Sequence, residues 1–181
     1  YHRLTHGSDY SRQMCAEPLE LLQDGFIAQV EMTSCGLNGG DLPGTGEYPA
    51  VICCNLTNGK MPHIANQIRK NIPAIIHSDR EWYVGNAEKG TQIGYKYFSI
   101  QSNTVLRVTA RGKGRIHIKS NDRSVGSLTF HSEKWAAASL TIPQGNSHAA
   151  LWLMVTEGSL DILSLHFSME VNEILEIQSR G

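Results

Sequence analysis

No run of this sequence stays apolar for long: the stretch Ala149-Ala150-Leu151-Trp152-Leu153-Met154-Val155 falls far short of the roughly 20 residues a membrane-spanning helix needs. No transmembrane segment is expected. Neither sign of charge prevails, since 16 Lys and Arg stand against 17 Asp and Glu in a dispersed pattern, which argues against nucleic acid or a membrane surface as partner. Cysteine is scarce, and none of Cys15, Cys35, Cys53 and Cys54 has a CxxC or Cys/His zinc spacing. They read as buried thiols in β structure, with a bridge from Cys15 or Cys35 to the later pair left open for an oxidising compartment. Internal repeats and low-complexity tracts are lacking, as is any long helical period. The opening Tyr1-His2-Arg3 carries neither Met nor a basic-then-apolar leader, so a segment of a longer protein is expected. Asn55-Leu56-Thr57 fits a glycosylation sequon that matters only in a eukaryotic secretory host.

What is present is β pattern. Runs at 74–77, 92–101, 104–110, 115–119, 124–130, 136–142, 149–155 and 160–168 are short and rich in β-formers, and Val105-Leu106-Arg107-Val108-Thr109-Ala110 and Ile116-His117-Ile118-Lys119 alternate as strands with one wet face do. Gly112-Lys113-Gly114, Asn121-Asp122, Pro143-Gln144-Gly145-Asn146 and Glu157-Gly158-Ser159 read as turns between them. The rhythm predicts an all-β fold, an antiparallel two-sheet sandwich of jelly-roll type. Before it, Gln23-Asp24-Gly25 sits between short apolar runs as a hairpin signal. The loop Cys35-Gly36-Leu37-Asn38-Gly39-Gly40 lacks the Lys-Ser/Thr ending of a phosphate loop and reads as surface.

Three strings at the start, Tyr1-His2-Arg3-Leu4-Thr5-His6-Gly7, Tyr10-Ser11-Arg12-Gln13-Met14-Cys15-Ala16-Glu17-Pro18 and Gln29-Val30-Glu31-Met32-Thr33-Ser34-Cys35-Gly36-Leu37-Asn38-Gly39, closely resemble the C-terminal end of glycoside hydrolase family 43 catalytic domains, in the arabinofuranosidase and β-xylosidase branch. The resemblance implies that this part supplies closing strands of a five-bladed β-propeller. Downstream, Ile93-Gly94-Tyr95-Lys96-Tyr97-Phe98, Val108-Thr109-Ala110-Arg111-Gly112 and Gly158-Ser159-Leu160-Asp161-Ile162-Leu163 look like the family 6 carbohydrate-binding modules often appended to such enzymes, in agreement with the sandwich. The expected organisation is a propeller segment over 1–62, a linker over 63–72, a carbohydrate-binding sandwich over 73–168 and a tail over 169–181.

Family 43 enzymes invert configuration with an Asp base, a Glu acid and a second Asp tuning the acid; inverting hydrolases hold base and acid about 6.5–9.5 Å apart to admit water. In the family these carboxylates come from earlier blades, and Glu17, Glu20 and Glu31 match none of them. The chain alone is therefore expected not to hydrolyse glycosides. By the resemblance, Arg12 corresponds to an active-site arginine facing the catalytic carboxylates and the sugar, a duty suited to a permanently charged bidentate donor; without the resemblance it reads as a surface arginine. His2 and His6 read as cavity-rim or structural residues rather than metal ligands.

Sugar binding needs a flat aromatic surface for the apolar face of a pyranose, with polar groups for its hydroxyls. Tyr83 and Trp135 fall near the positions whose rings sandwich a sugar in the family 6 cleft, and Ser159 stands where an Asn often accompanies them. The competing reading makes both rings core residues. Trp82 and Tyr83 are read as preceding a loop, Trp135 as following the turn His131-Ser132-Glu133-Lys134, and Trp152 as core. Modules of this type often hold a structural calcium; Asp161 matches an Asp at the start of the last strand, while the glutamates expected on the first strand are not found around Pro73 to His77. No cofactor is otherwise required. Arg107, Arg111, Lys113, Arg115, Lys119 and Arg123 read as a solvated sheet face. The expectation is a parent enzyme, secreted, periplasmic or cell-surface, acting on xylan or arabinoxylan, with the rest of the propeller as partner. The alternatives are a non-catalytic binding module and a structural sandwich that binds no sugar.

Overall fold

The computed structural model describes residues 16–59, 72–78 and 80–169. Nine strands carry its regular structure: β1 (Leu42–Pro43), β2 (Gly46–Pro49), β3 (Asn55–Thr57), β4 (Ala74–His77), β5 (Trp82–Glu88), β6 (Gln92–Ile100), β7 (Thr104–Ser120), β8 (Arg123–Ile142) and β9 (Asn146–Met169), with a 3-10 turn at Ala50–Ile52. The expected all-β class holds. No helix among the described residues is long and apolar enough to cross a membrane. Alternation builds the strands as predicted: along β7, Leu106, Val108, Ile116 and Ile118 are buried while Arg107, Lys113 and Arg115 face solvent.

Three strands are longer than the sequence predicts. The expected turns at Gly112-Lys113-Gly114, at 131–134 and at Glu157-Gly158-Ser159 are bends inside β7, β8 and β9. The reason lies in pairing across those points: Gly112 opposite Leu160, Lys113 opposite Ser159 and Gly114 opposite Gly158 join β7 to β9, while Gly112 opposite Ser132 and Lys113 opposite His131 join β7 to β8. A Cβ on Gly112 would stand 2.5 Å from the Ser159 carbonyl oxygen, and one on Gly158, whose φ is 71°, would meet the Lys113 carbonyl. These glycines permit close backbone approach at a bend rather than chain reversal. The bends also carry the strands between layers. Before Gly158, β9 runs between β6 and β7, with Leu153 opposite both Ile93 and Ile118; after it, β9 runs between β7 on one side and β5 and β2 on the other. One core, including Tyr95, Phe98, Leu106, Ile116, Leu153 and Phe167, fills the space between the layers.

Residues 42–57, which the sequence reading groups with the propeller segment, are paired into the sandwich. β2 lies antiparallel on β9 with Tyr48 opposite Leu165, β3 lies on β6 with Leu56 opposite Ile93, and β1 adds a short parallel pairing to β6. Packing explains the placement. Tyr48 meets Phe98 and Phe167 edge-on at 5.1 and 5.9 Å, and the buried Tyr95 hydroxyl donates to the Ala50 carbonyl at 2.9 Å, so these edges would lose both ladder and core contacts without them.

The described part of the preceding segment, residues 16–41, contains a single isolated bridge, Leu21 to Ile27, around the Asp24-Gly25 turn. It is fastened to β6. Glu31 accepts from Lys96 Nζ at 2.8 Å and from the Tyr97 hydroxyl at 3.0 Å, and the Ser34 amide donates to the Lys96 carbonyl. Cys35, Cys53 and Cys54 are thiols, the last two buried. Arg12, Cys15, His2 and His6, most of the expected linker and nearly all of the expected tail lie outside the described residues.

Candidate carbohydrate-binding corner

Tyr83 and Trp135 reach the same place from β5 and β8. Contrary to the sequence reading, Trp82 and Tyr83 open a strand rather than precede a loop, and Trp135 lies within β8, where the register slips between Ala110 opposite Ala136 and Gly112 opposite Ser132. The extra β8 residues form a bulge, a device that re-aims side chains. It is tied off locally by the Ser132 hydroxyl, which bonds both the amide and the carbonyl of Lys134. The two rings approach to 5.5 Å between centroids with their planes 69° apart, an edge-to-face contact.

A third side chain completes the group. The Arg111 guanidinium lies 4.4 Å from the Trp135 ring centroid and 4.9 Å from that of Tyr83, within cation–π range of both. Its Nε and Nη2 each reach Asp161 Oδ2 at 2.9 Å, and Asp161 Oδ1 accepts from the Asn86 backbone N–H at 3.3 Å. Burial works against the Arg111 charge, but the hydrogen bonds and attraction of Asp161 outweigh it and raise its pKa above the ordinary value. Trp135 Nε1 donates to Glu81 Oε2 at 2.8 Å. The corner thus offers two aromatic faces, a fixed cation and two carboxylates.

Of the three residues expected to bind sugar, Tyr83 and Trp135 come together, and Asp161, expected as a calcium ligand, joins them through Arg111. Ser159 stands exposed on β9 opposite Lys113, and the polar places beside the rings belong to Asp161 and Glu81. Arg111 and Glu81 escaped the sequence reading, Arg111 because its spacing matches the solvated arginines of the same strand. Trp152, expected in the core, is half-buried on β9 with its ring over Gly94, where a Cβ would come 2.8 Å from the ring. A polar groove of about 870 Å³ lies elsewhere, between the β7–β8 and β8–β9 turns, and includes Arg123, Gln144 and Asn146. None of its described lining residues is aromatic, so it lacks a stacking surface.

No family model matches the chain. Solved structures give the fold. A family 6 carbohydrate-binding module studied for its binding sub-sites superposes with a TM-score of 0.58 at 15% identity, covering 72% of this chain and 98% of the module. The sandwich has the family 6 module fold. A family 43 arabinoxylan arabinofuranohydrolase from Bacillus subtilis, solved with cellotetraose, matches with a TM-score of 0.54 at 13% identity over 84% of this chain and 33% of the enzyme. A family 36 module solved with calcium and xylotriose gives a TM-score of 0.53 at 14% identity over 67% of this chain and 98% of the module. In sequence, the chain is 34% identical over 180 residues to a xylosidase/arabinosidase from Thermoclostridium stercorarium, covering 91% of this chain and thus both the opening segment and the sandwich. The chain spans 38% of that enzyme's length.

The donor set does not assemble a calcium site at Asp161. Its Oδ2 already receives two guanidinium donors, and among the described residues no three His, Cys, Asp or Glu side chains converge as metal ligands. β1 and β2, rather than residues 74–77, are the first strands of the sandwich, and the acid on β2, Glu47, accepts the Ser164 hydroxyl at 2.7 Å.

Proposed function

We propose that this chain is the C-terminal part of a secreted or cell-surface family 43-type glycoside hydrolase, an arabinofuranosidase or β-xylosidase acting on arabinoxylan-like hemicellulose by inversion, and that its sandwich binds carbohydrate at the Tyr83/Trp135 corner. The observation that carries the reading is the convergence of two partly exposed aromatic rings with polar side chains on a module-type sandwich, together with sequence similarity to a xylosidase/arabinosidase through both parts of the chain. Hydrolysis belongs to the intact parent, whose earlier blades supply the carboxylates, with Arg12 supporting the active site from this chain. The segment ending near residue 41 then belongs with the propeller, and the sandwich begins with β1. Affinity electrophoresis of the chain in xylan and arabinoxylan gels tests the binding: retardation that disappears in Trp135→Ala supports it, and equal mobility with and without polymer refutes it. For the parent enzyme, Arg12→Ala is expected to lower turnover strongly with the fold intact; unchanged turnover removes Arg12 from the site.

One observation favours the structural-sandwich alternative. Arg111 fills the space beside both rings, as a brace that binds no sugar would.

A further inference from the structure

A pyranose held between two aromatic faces needs van der Waals contact on both sides, about 3.5–4 Å each, and hence near-parallel rings about 7–8 Å apart. Tyr83 and Trp135 are 5.5 Å apart and inclined at 69°. The space between them is not open: the Arg111 guanidinium approaches both rings. It is held there by two bonds to Asp161, whose own position is set by β9 and by the Asn86 backbone N–H.

We infer that Arg111 is the specificity-determining residue of this corner, an internal occupant that keeps a neutral pyranose from being clasped between Tyr83 and Trp135. The inference rests on the proposal that the corner faces sugar, and it deepens it. For a neutral β-1,4-linked chain to enter between the rings, the guanidinium must leave two ring faces and a carboxylate, and the sugar has no charge to offer in exchange. Apparent affinity falls in proportion to the fraction of molecules with the corner open. Weak retention on a polymer then rests on ring surface outside the clasp, and short oligosaccharides are not bound tightly.

The test is calorimetry of the whole chain with xylotriose and cellotetraose, comparing the native protein with Arg111→Ser, Arg111→Lys and Arg111→Ser/Trp135→Ala, each checked for native circular dichroism. The expected result is an affinity at least tenfold higher in Arg111→Ser than in the native chain, abolished in the double variant. Arg111→Lys, which keeps a cation for Asp161 but gives up the flat stack, gains by a smaller factor and carries the comparison if Arg111→Ser fails to fold. Native affinity equal to or above that of the Arg111 variants overturns the inference and leaves the sugar-binding proposal standing. If no variant binds either sugar and the native chain is not retarded by xylan, the sugar-binding proposal falls and the inference with it.

Discussion

Two clusters on the surface of this protein combine aromatic rings with ion pairs, and they do different work. At the corner, the ladder fixes the backbones of Tyr83, Arg111 and Asp161, and Trp135 joins them from the β8 bulge. At the other cluster, Lys96 and Tyr97 on β6 grip Glu31, which has no ladder of its own, while His148 stacks on Tyr97 at 3.6 Å and meets Asp41 at 2.9 Å. The corner decorates a scaffold that exists without it. The grip on Glu31, by contrast, joins residues 16–41 to the sandwich, beside the contacts of Ser34 and Cys35 with β6 and of Asp41 with His148. The same chemistry is therefore a matter of local shape in one place and of attachment in the other.

The comparison is broken most severely at the scaffold. Gly158→Ala is expected to lower stability by about 2–5 kcal/mol, since a Cβ there meets the Lys113 carbonyl and φ is 71°; urea unfolding monitored by circular dichroism reads it. Both clusters are then weakened together. Asp161→Asn touches the corner alone. It removes the charge partner of Arg111 at a half-exposed position, costs about 1 kcal/mol, and frees the guanidinium from the rings, so Trp emission changes while β6 and the attached segment do not. An unaltered emission spectrum would mean that the rings, rather than Asp161, hold the arginine. Smaller still is Glu31→Gln, which keeps the shape but gives up the ion pair with Lys96. It costs under about 1 kcal/mol, yet hydrogen exchange in residues 31–36 speeds up while exchange in β7 and β9 stays as it was.

How far the sequence foretells these two regions differs for a physical reason. Side-chain alternation is local, so the β7 and β9 faces are legible from Val105-Leu106-Arg107-Val108 onward, and the pairing of Tyr83 with Trp135 follows from the family resemblance. Bends are not local. Gly112 and Gly158 carry the same residue signal as turns, and only their mutual approach across two strands makes them points of crossing. β2 and β3 are equally hidden: Gly46-Glu47-Tyr48-Pro49 has no alternation to read, and its partner is the end of β9. Arg111 is the sharpest case. Its sequence neighbours place it on a wet face with Arg107 and Arg115, and the reason it differs is Asp161, which pairing alone brings opposite.

Acid separates the two clusters by the gentlest means. The hydrogen bond from Lys96, followed by that from Tyr97 and by the nearby positive charge, lowers the pKa of Glu31 below its ordinary 4.5 despite some burial, and the same contact raises that of Lys96. A carboxylate with a depressed folded-state pKa contributes stability in full above its unfolded value and loses it as pH falls through the folded value. Attachment of residues 16–41 is therefore expected to weaken on acidification from pH 5 through the lowered pKa of Glu31, seen as faster proteolysis around the exposed Leu21 and Phe26 by an acid-active protease. Arg111, its pKa raised further from an already high value, keeps its charge throughout. In Glu31→Gln the carboxylate no longer titrates, so cleavage begins faster and changes less with pH; a native-like pH profile in that variant would refute the assignment of the attachment to Glu31.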